Sequence, residues 1–456
     1  MKTLFITSFH SFISKNILNT DVLRTLRDER DLRIVIFVQN HKAEFFRKNY
    51  AGGNVVVEGV DVARITASKV KILLVRLLFL MIDSHYTSYK RIERFDARPG
   101  ALARIKYYIH FALVRILSGS KTLNGLARTL YRHLAPKGFF AEHFEKYRPS
   151  LVFSTDVFDP YDTQLLNEAK HHGVRTLGMV RSWDNCWSKG LMPVQPDRLL
   201  TNNEIIKEEA VALHDYPSDR ITVVGLPQFD AFVTGERSSR ADFFASIGVD
   251  PAKRLLLFAP AGTILSDTDG QLCEILGKAR EDGRLPSDIH FFVRNHPGHP
   301  ADIRRFIGQP GFTIQDPGHV FGANSKETEL APDDLRFLAD LVYHSDIVMY
   351  VATSICLDSA VYDKPQIMVS FDGYEKKPYT KSVARYRDED HMKKLLDTGG
   401  ARIVRSVDEW IEAINDYLEN PSLDREGRSR IVREQLYKID GKSGERVASQ
   451  VMASLR

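Results

Sequence analysis

Residues that could do chemistry cluster where apolar runs end. In residues 345–365 (SDIVMYVATSICLDSAVYDKP) a buried-strand pattern runs into a Thr-Ser turn, then a helix with an early acid. Thr353 or Ser354 can cap that helix, and its first amides together with these hydroxyls suit a phosphate. Asp358, one turn in, is placed to accept hydrogen bonds from ribose hydroxyls. A second segment, residues 290–300 (HFFVRNHPGHP), ends a strand in a polar loop holding Arg294, Asn295 and His296. An imidazole there can hydrogen-bond or protonate a leaving phosphate. Pro297 and Pro300 argue against a helical pair of histidine metal ligands, and no metal site is expected. In a third, residues 258–263 (FAPAGT), Gly262 lets backbone approach a ligand and Thr263 supplies a hydroxyl.

The first half of the chain has its own set. Ser8 and His10 follow the first apolar run, and His10 is the candidate general base for an acceptor hydroxyl. Asp156 and Asp159 follow the run SLVFST (150–155) and are expected to orient that histidine or bind acceptor hydroxyls. Ser182, Trp183, Asp184 and Asn185 follow another run; the indole offers a sugar-stacking face and the others hydrogen bonds.

These segments need a scaffold that gathers strand ends. Residues 2–8, 32–39 (LRIVIFVQ) and 54–60 read as strands with a helix over 16–27, the opening of a doubly wound parallel sheet. In such sheets ligands sit beyond the carboxyl ends of the strands. Residues 69–134 then read as helical throughout, a helical insertion at about 69–137, before the alternation resumes at residue 150. A second alternating set starts at residue 254. Length supports two domains, since the chain has 456 residues. The boundaries expected are 1–235, 236–427, and a C-terminal helical segment, 428–456.

Net charge is only +4, yet residues 90–137 carry eleven Lys or Arg against two acidic residues. That stretch can attract phosphates or an anionic membrane surface, or be a solvated helical face. Within it, residues 101–117 (ALARIKYYIHFALVRIL) mix aromatic and basic side chains, which suits a membrane-interface helix and equally a helix covering a sheet. Residues 71–83 are too short and too interrupted to span a bilayer. The first residues read as a buried strand rather than a signal peptide. Three cysteines without CxxC spacing suit a reducing cytoplasm. The sequence has no GxGxxG after the first strand, no GxxxxGK[ST] and no GxSxG, which removes the main support for dinucleotide, P-loop and hydrolase readings.

The segments VRNHP (293–297), SDIVMYVATSICLDSAVYDKP (345–365), VVGLPQFD (223–230) and DGKSGER (440–446) resemble the CDP-glycerol glycerophosphotransferase-like branch of the GT-B superfamily. The likeness is best over residues 182–364, and Asp363 stands where the pattern often has glycine before Lys-Pro. The resemblance implies an α/β, GT-B architecture of two Rossmann-like domains facing a central cleft, the last helix folding back on the first domain. It implies a metal-independent transferase without a cofactor, taking a CDP- or UDP-linked donor as substrate. The acceptor would be a hydroxyl of a cell-envelope glycan or lipid-linked molecule. His296, Thr353 and Ser354 would meet the donor phosphates. The expected location is cytoplasmic, with peripheral contact at the inner face of the membrane through residues 90–137, and no nucleic-acid partner is expected. Two alternatives stand beside it: a non-hydrolysing sugar-nucleotide 2-epimerase, and a non-catalytic nucleotide-sugar-binding module.

Overall fold

The computed structural model describes residues 1–96, 100–321 and 328–456. The chain divides into two units, Met1–Gln228 with Lys442–Arg456, and Phe229–Gly441.

In the first unit the strands are β1 (Lys2–Thr7), β2 (Leu32–Gln39), β3 (Val55–Val60), β4 (Leu151–Ser154), β5 (Arg175–Met179), β6 (Arg198–Thr201) and β7 (Ile221–Val223). They form one parallel sheet in the order β3-β2-β1-β4-β5-β6-β7. The order reverses beside β1, a switch point that leaves the loops after β1, β4 and β5 as neighbours. Both faces of the sheet are buried, as the unbroken β-branched runs require. Phe5 and Phe37 pack with Phe140 and Phe144 on one face. Leu4, Ile6, Ile34 and Ile36 pack on the other with Val447 and Val451 of the last helix, Ser443–Leu455.

Among the described residues the insertion holds four helices, Lys69–Leu80, His85–Asp96, Ala101–Leu117 and Lys121–Leu134. Arg98, counted in the basic stretch, lies outside the described residues. The alternative of a helix covering a sheet fails for Ala101–Leu117: Val114 is its one buried residue.

The second unit repeats the principle with β8 (Arg254–Ala259), β9 (Ile289–Arg294), β10 (Phe312–Gln315), β11 (His319–Val320), β12 (Thr328–Glu329), β13 (Ile347–Tyr350), β14 (Gln366–Val369) and β15 (Arg402–Val404). The order β10-β9-β8-β13-β14-β15 is again parallel, and β11 and β12 form a separate antiparallel pair. Here the loops after β9, β8 and β13 are neighbours.

Two boundaries differ from the sequence expectation. The second unit begins at Phe229 rather than 236. The helix Arg425–Gln435 belongs to it, so only residues from Lys442 onward return to the first unit. Asp363, with a left-handed φ of 51°, helps anchor that helix to the second unit. Its carboxylate accepts from Arg425 Nε at 2.7 Å and from Arg428 Nε at 2.8 Å, and the Arg428 side chain is fully buried. A glycine, free of strain there, could not make that anchor.

Candidate active site

At the strand-end edge of the second unit, Gly262 locks two loops together. It has a φ of +81°, and a Cβ on it would lie 2.0 Å from the His299 carbonyl oxygen. The loop after β8 therefore lies directly against the His296–His299 loop. Its amides are not free for a phosphate, as expected of Gly262: Ala261 N and Gly262 N donate to Asp269 at 3.1 and 2.8 Å. Burial raises the Asp269 carboxyl pKa despite those two bonds. Thr263, next along, is exposed.

His296 and His299 stack, with ring centroids 5.6 Å apart. Gly298 N donates to His296 Nδ1 at 3.1 Å, so the neutral ring carries its proton on Nε2. Burial, and then His299, push the His296 pKa down to about 4. It is thus a neutral hydrogen-bond donor near pH 7, not a cationic acid. Arg294 is buried; it donates to Gln315 Oε1 and lies over the Phe337 ring. Burial lowers its pKa to about 10 against the pull of Asp334 and Asp358, so it stays charged. Asn295 is structural as it stands: its amide donates to Asp316 Oδ1 at 2.6 Å and accepts from Ala301 N at 3.1 Å. Neither Thr353 nor Ser354 caps the helix Ile355–Val361 through its side chain, contrary to expectation. Ser354 is exposed, Thr353 half-buried and Asp358 buried.

At the corresponding edge of the first unit lies a denser ionic network. Asp156 Oδ2 pairs with Arg181 Nε at 2.6 Å, both groups almost fully buried. Asp156 Oδ1 accepts from Phe158 N at 3.0 Å and Asn185 Nδ2 at 3.5 Å. Asp156 therefore orients Arg181, not His10 as expected. Phe12 N donates to His10 Nδ1 at 3.3 Å, which leaves the neutral ring's proton on Nε2. Burial, reinforced by Arg181 and opposed by Asp156, lowers the His10 pKa to about 3. The ring is set as a donor and is a poor base in this arrangement.

Two further carboxylates complete the network. Asp159 caps the helix Pro160–His171, accepting from Tyr161 N at 2.8 Å and Asp162 N at 3.4 Å through Oδ1. Burial and the neighbouring Asp156 raise its pKa to about 6. Asp162 Oδ1 accepts from Thr7, from Ser154 at 3.2 Å and from Asp156 N at 3.2 Å. Burial and the other two carboxylates raise its pKa well above the usual range. Beneath them, Lys71 Nζ donates to the Pro160 carbonyl at 2.6 Å and to Gln164 Oε1 at 3.1 Å, its pKa lowered by burial to about 8. Asp184 accepts hydrogen bonds from the Ser182 hydroxyl at 2.6 Å and the Ser188 hydroxyl at 2.8 Å, and Trp183 packs against the core. Ser8, expected at an acceptor, is fully buried.

The family model for CDP-glycerol:poly(glycerophosphate) glycerophosphotransferases matches residues 170–453. The chain belongs to that family. A lipid-A-disaccharide synthase of Persephonella marina is 24% identical over 217 residues, 46% of this chain and 52% of that protein. The chain thus spans about half the length of that relative. Among solved structures, a UDP-GlcNAc 2-epimerase from Neisseria meningitidis, bound to UDP-GlcNAc, aligns over 99% of this chain and 100% of its own, with a TM-score of 0.57 and 11% identity. The wall teichoic acid polymerase TagF aligns over 100% of this chain and 89% of its own, with a TM-score of 0.55 and 11% identity. At such identities these likenesses fix the fold, which is GT-B.

In this glycerophosphotransferase-family chain the matched stretch takes in residues 181–185, the whole second unit and most of the last helix, but not His10, Asp156 or Asp159. Arg294 ends β9 and His296 follows it, while Thr353 and Ser354 follow β13, and these two strands flank β8 in the sheet. Sequence reading names Asp159 beside Asp156 but gives Arg181 no role and passes over Asp162. The three acids recur at every third position from 156, a spacing that was the available signal.

Proposed function

We propose that the chain is a transferase that moves a sugar or polyol phosphate from a nucleotide-activated donor, CDP- or UDP-linked, to a hydroxyl of a cell-envelope glycan or lipid-linked acceptor. The observation that carries this reading is the division of labour between the two strand-end edges, within a chain of this family. One edge carries His296, a neutral donor, and the buried Arg294 cation at the end of β9, and the Thr353 and Ser354 hydroxyls after β13. Such a set suits negative charge growing on a leaving phosphate. The other presents carboxylates held by Arg181.

In this reading Asp159 takes the acceptor proton. Its pKa lies close to working pH, and its Oδ2 is uncommitted among the described residues. His10 steadies the acceptor oxygen through Nε2–H, and Asp156 keeps Arg181 in place. Asp358 serves the donor ribose, and Ser182, Trp183, Asp184 and Asn185 border the acceptor. The enzyme needs no bound metal and works at the inner face of the membrane, where a lipid-linked acceptor would be found.

The test is product analysis with CDP-glycerol and UDP-GlcNAc, with and without a lipid-linked acceptor. Transfer only when acceptor is present supports the reading. Epimerised donor without acceptor overturns it in favour of the epimerase, and tight donor binding with no turnover in favour of the module.

A further inference from the structure

Lys71, on the helix Lys69–Leu80, is an ammonium buried at 3% exposure. Its Nζ donates to the Pro160 carbonyl at 2.6 Å and to Gln164 Oε1 at 3.1 Å, and it makes no ion pair among the described residues. Burying an ammonium with only neutral acceptors is costly. The place adds to the cost, because Pro160 opens the helix Pro160–His171 and the amino end of a helix repels a cation. An uncharged side chain would pack there more cheaply, so packing alone does not account for Lys71.

The surroundings hold the ammonium in one place. Gln164 Nε2 donates to the Pro136 carbonyl at 2.7 Å and to Glu168 Oε1 at 2.8 Å, which spends both amide protons and aims Oε1 at Lys71. Glu168 in turn accepts from Phe139 N at 3.1 Å and Phe140 N at 3.0 Å. The carbonyl that Lys71 grips belongs to the residue after Asp159, which caps the same helix. Burial lowers the Lys71 pKa to about 8, and Asp159 is the first charge to oppose that fall, followed by Glu168. The other charges that face Asp159 are Asp156 and Arg181, with Asp162 coupled to both acids. Arg181 is already paired with Asp156, so Lys71 is the neighbouring cation that no other carboxylate pairs among the described residues. Lys71 and Asp159 both precede the stretch matched by the family model, so family membership does not supply this role.

We propose that Lys71 is a positioning residue for Asp159: it fixes the first turn of the capped helix through Pro160 and supplies a positive charge that favours the ionised carboxylate. The proposal deepens the transferase reading above and rests on it for the role of Asp159 as base.

The test compares Lys71→Met with Gln164→Leu in the full chain. Methionine keeps an unbranched apolar body without the ammonium, whereas leucine at 164 loosens the same packing and leaves the charge. Two readouts are taken: kcat/KM against pH, and an NMR titration of the Asp159 carboxyl, assigned against Asp159→Asn, which needs neither donor nor acceptor. Lys71→Met should move both midpoints upward by about one pH unit, because a favourable cation is lost. The rate should then fall about fivefold at pH 6 and less than about twofold at pH 8, where the carboxyl is ionised in either case. Lys71→Gln, which retains an N–H donor but no charge, should match it, so the outcome does not hang on the folding of one variant. Gln164→Leu should lower the melting temperature and leave both midpoints in place. The proposal is overturned if both Lys71 variants lower the rate by the same factor at every pH, or if their carboxyl midpoints stay within about 0.2 unit of wild type. An equal shift in Gln164→Leu overturns it too, because packing rather than charge would then set the midpoint. A moved carboxyl midpoint in a chain that transfers nothing would leave this proposal standing and sink the transferase reading alone.

Discussion

The two strand-end edges are built from the same fold element and differ in how they handle charge. In the first unit, three carboxylates lie within seven residues, and Arg181 pairs directly with only one of them. The remaining excess raises the Asp159 and Asp162 pKa values. In the second unit, Asp269 is consumed by loop amides, Arg294 is held by Gln315, and His296 and the Thr353 and Ser354 hydroxyls are neutral. One edge stores proton affinity; the other stores hydrogen-bond donors. The difference shows that a Rossmann-like sheet supplies only the meeting place of the loops, and that side-chain pairing among them decides which partial reaction each can serve.

The largest test of this contrast is Asp159→Asn. Asparagine keeps the helix cap, so the fold should survive, while turnover should fall by at least about a hundredfold. In the wild type, kcat/KM should rise with pH through about 6 as Asp159 ionises and then level off. Because the folded pKa is raised, protonated Asp159 stabilises the fold at acid pH, and that contribution disappears as pH climbs through about 6. The variant should therefore melt at or above the wild-type temperature at pH 8. A lower melting point together with full activity would break the comparison.

Next comes His296→Ala, expected to cost at least about tenfold in turnover with the acceptor's KM unchanged. An unaltered rate with a verified donor would remove it from the donor edge. Gly262→Ala should act more mildly on chemistry. The loop must shift away from His299, costing about 1–3 kcal/mol in stability and raising the donor's KM more than it lowers kcat. Steady-state kinetics alongside a thermal melt would separate the two effects. The smallest effect on activity is expected of Asp363→Gly. It relieves left-handed strain but strips Arg425 and Arg428 of their carboxylate partner, leaving Arg428 only backbone carbonyls, so the melting temperature should drop while turnover per folded molecule holds.

Much of the architecture was legible because burial on both faces writes itself into composition. The run LRIVIFVQ matches β2 residue for residue, and the helix-rich stretch after residue 69 holds four helices among the described residues. Short or half-exposed elements were not legible: β10, with one buried residue in four, and β15, of three residues, carry too little pattern. In the site, residue types at strand ends pointed to His10, Asp156, His296 and the Thr-Ser turn. Their partners did not follow, since the Arg181–Asp156 pair and the Asp269 bonds to the Gly262 loop join positions 25 and seven residues apart through space.

The sequence by itself determined the two parallel sheets, the place of the helical insertion and the loops that could bear chemistry, because hydrophobic periodicity and strand-end polarity are local properties. Tertiary structure alone decided the rest. It set the tautomers of His10 and His296 through single backbone amides, the raised pKa of Asp159 through burial beside Asp156, and the exposure of the helix Ala101–Leu117. Protonation and exposure depend on what else arrives within a few ångströms, and that is fixed only when distant segments fold together.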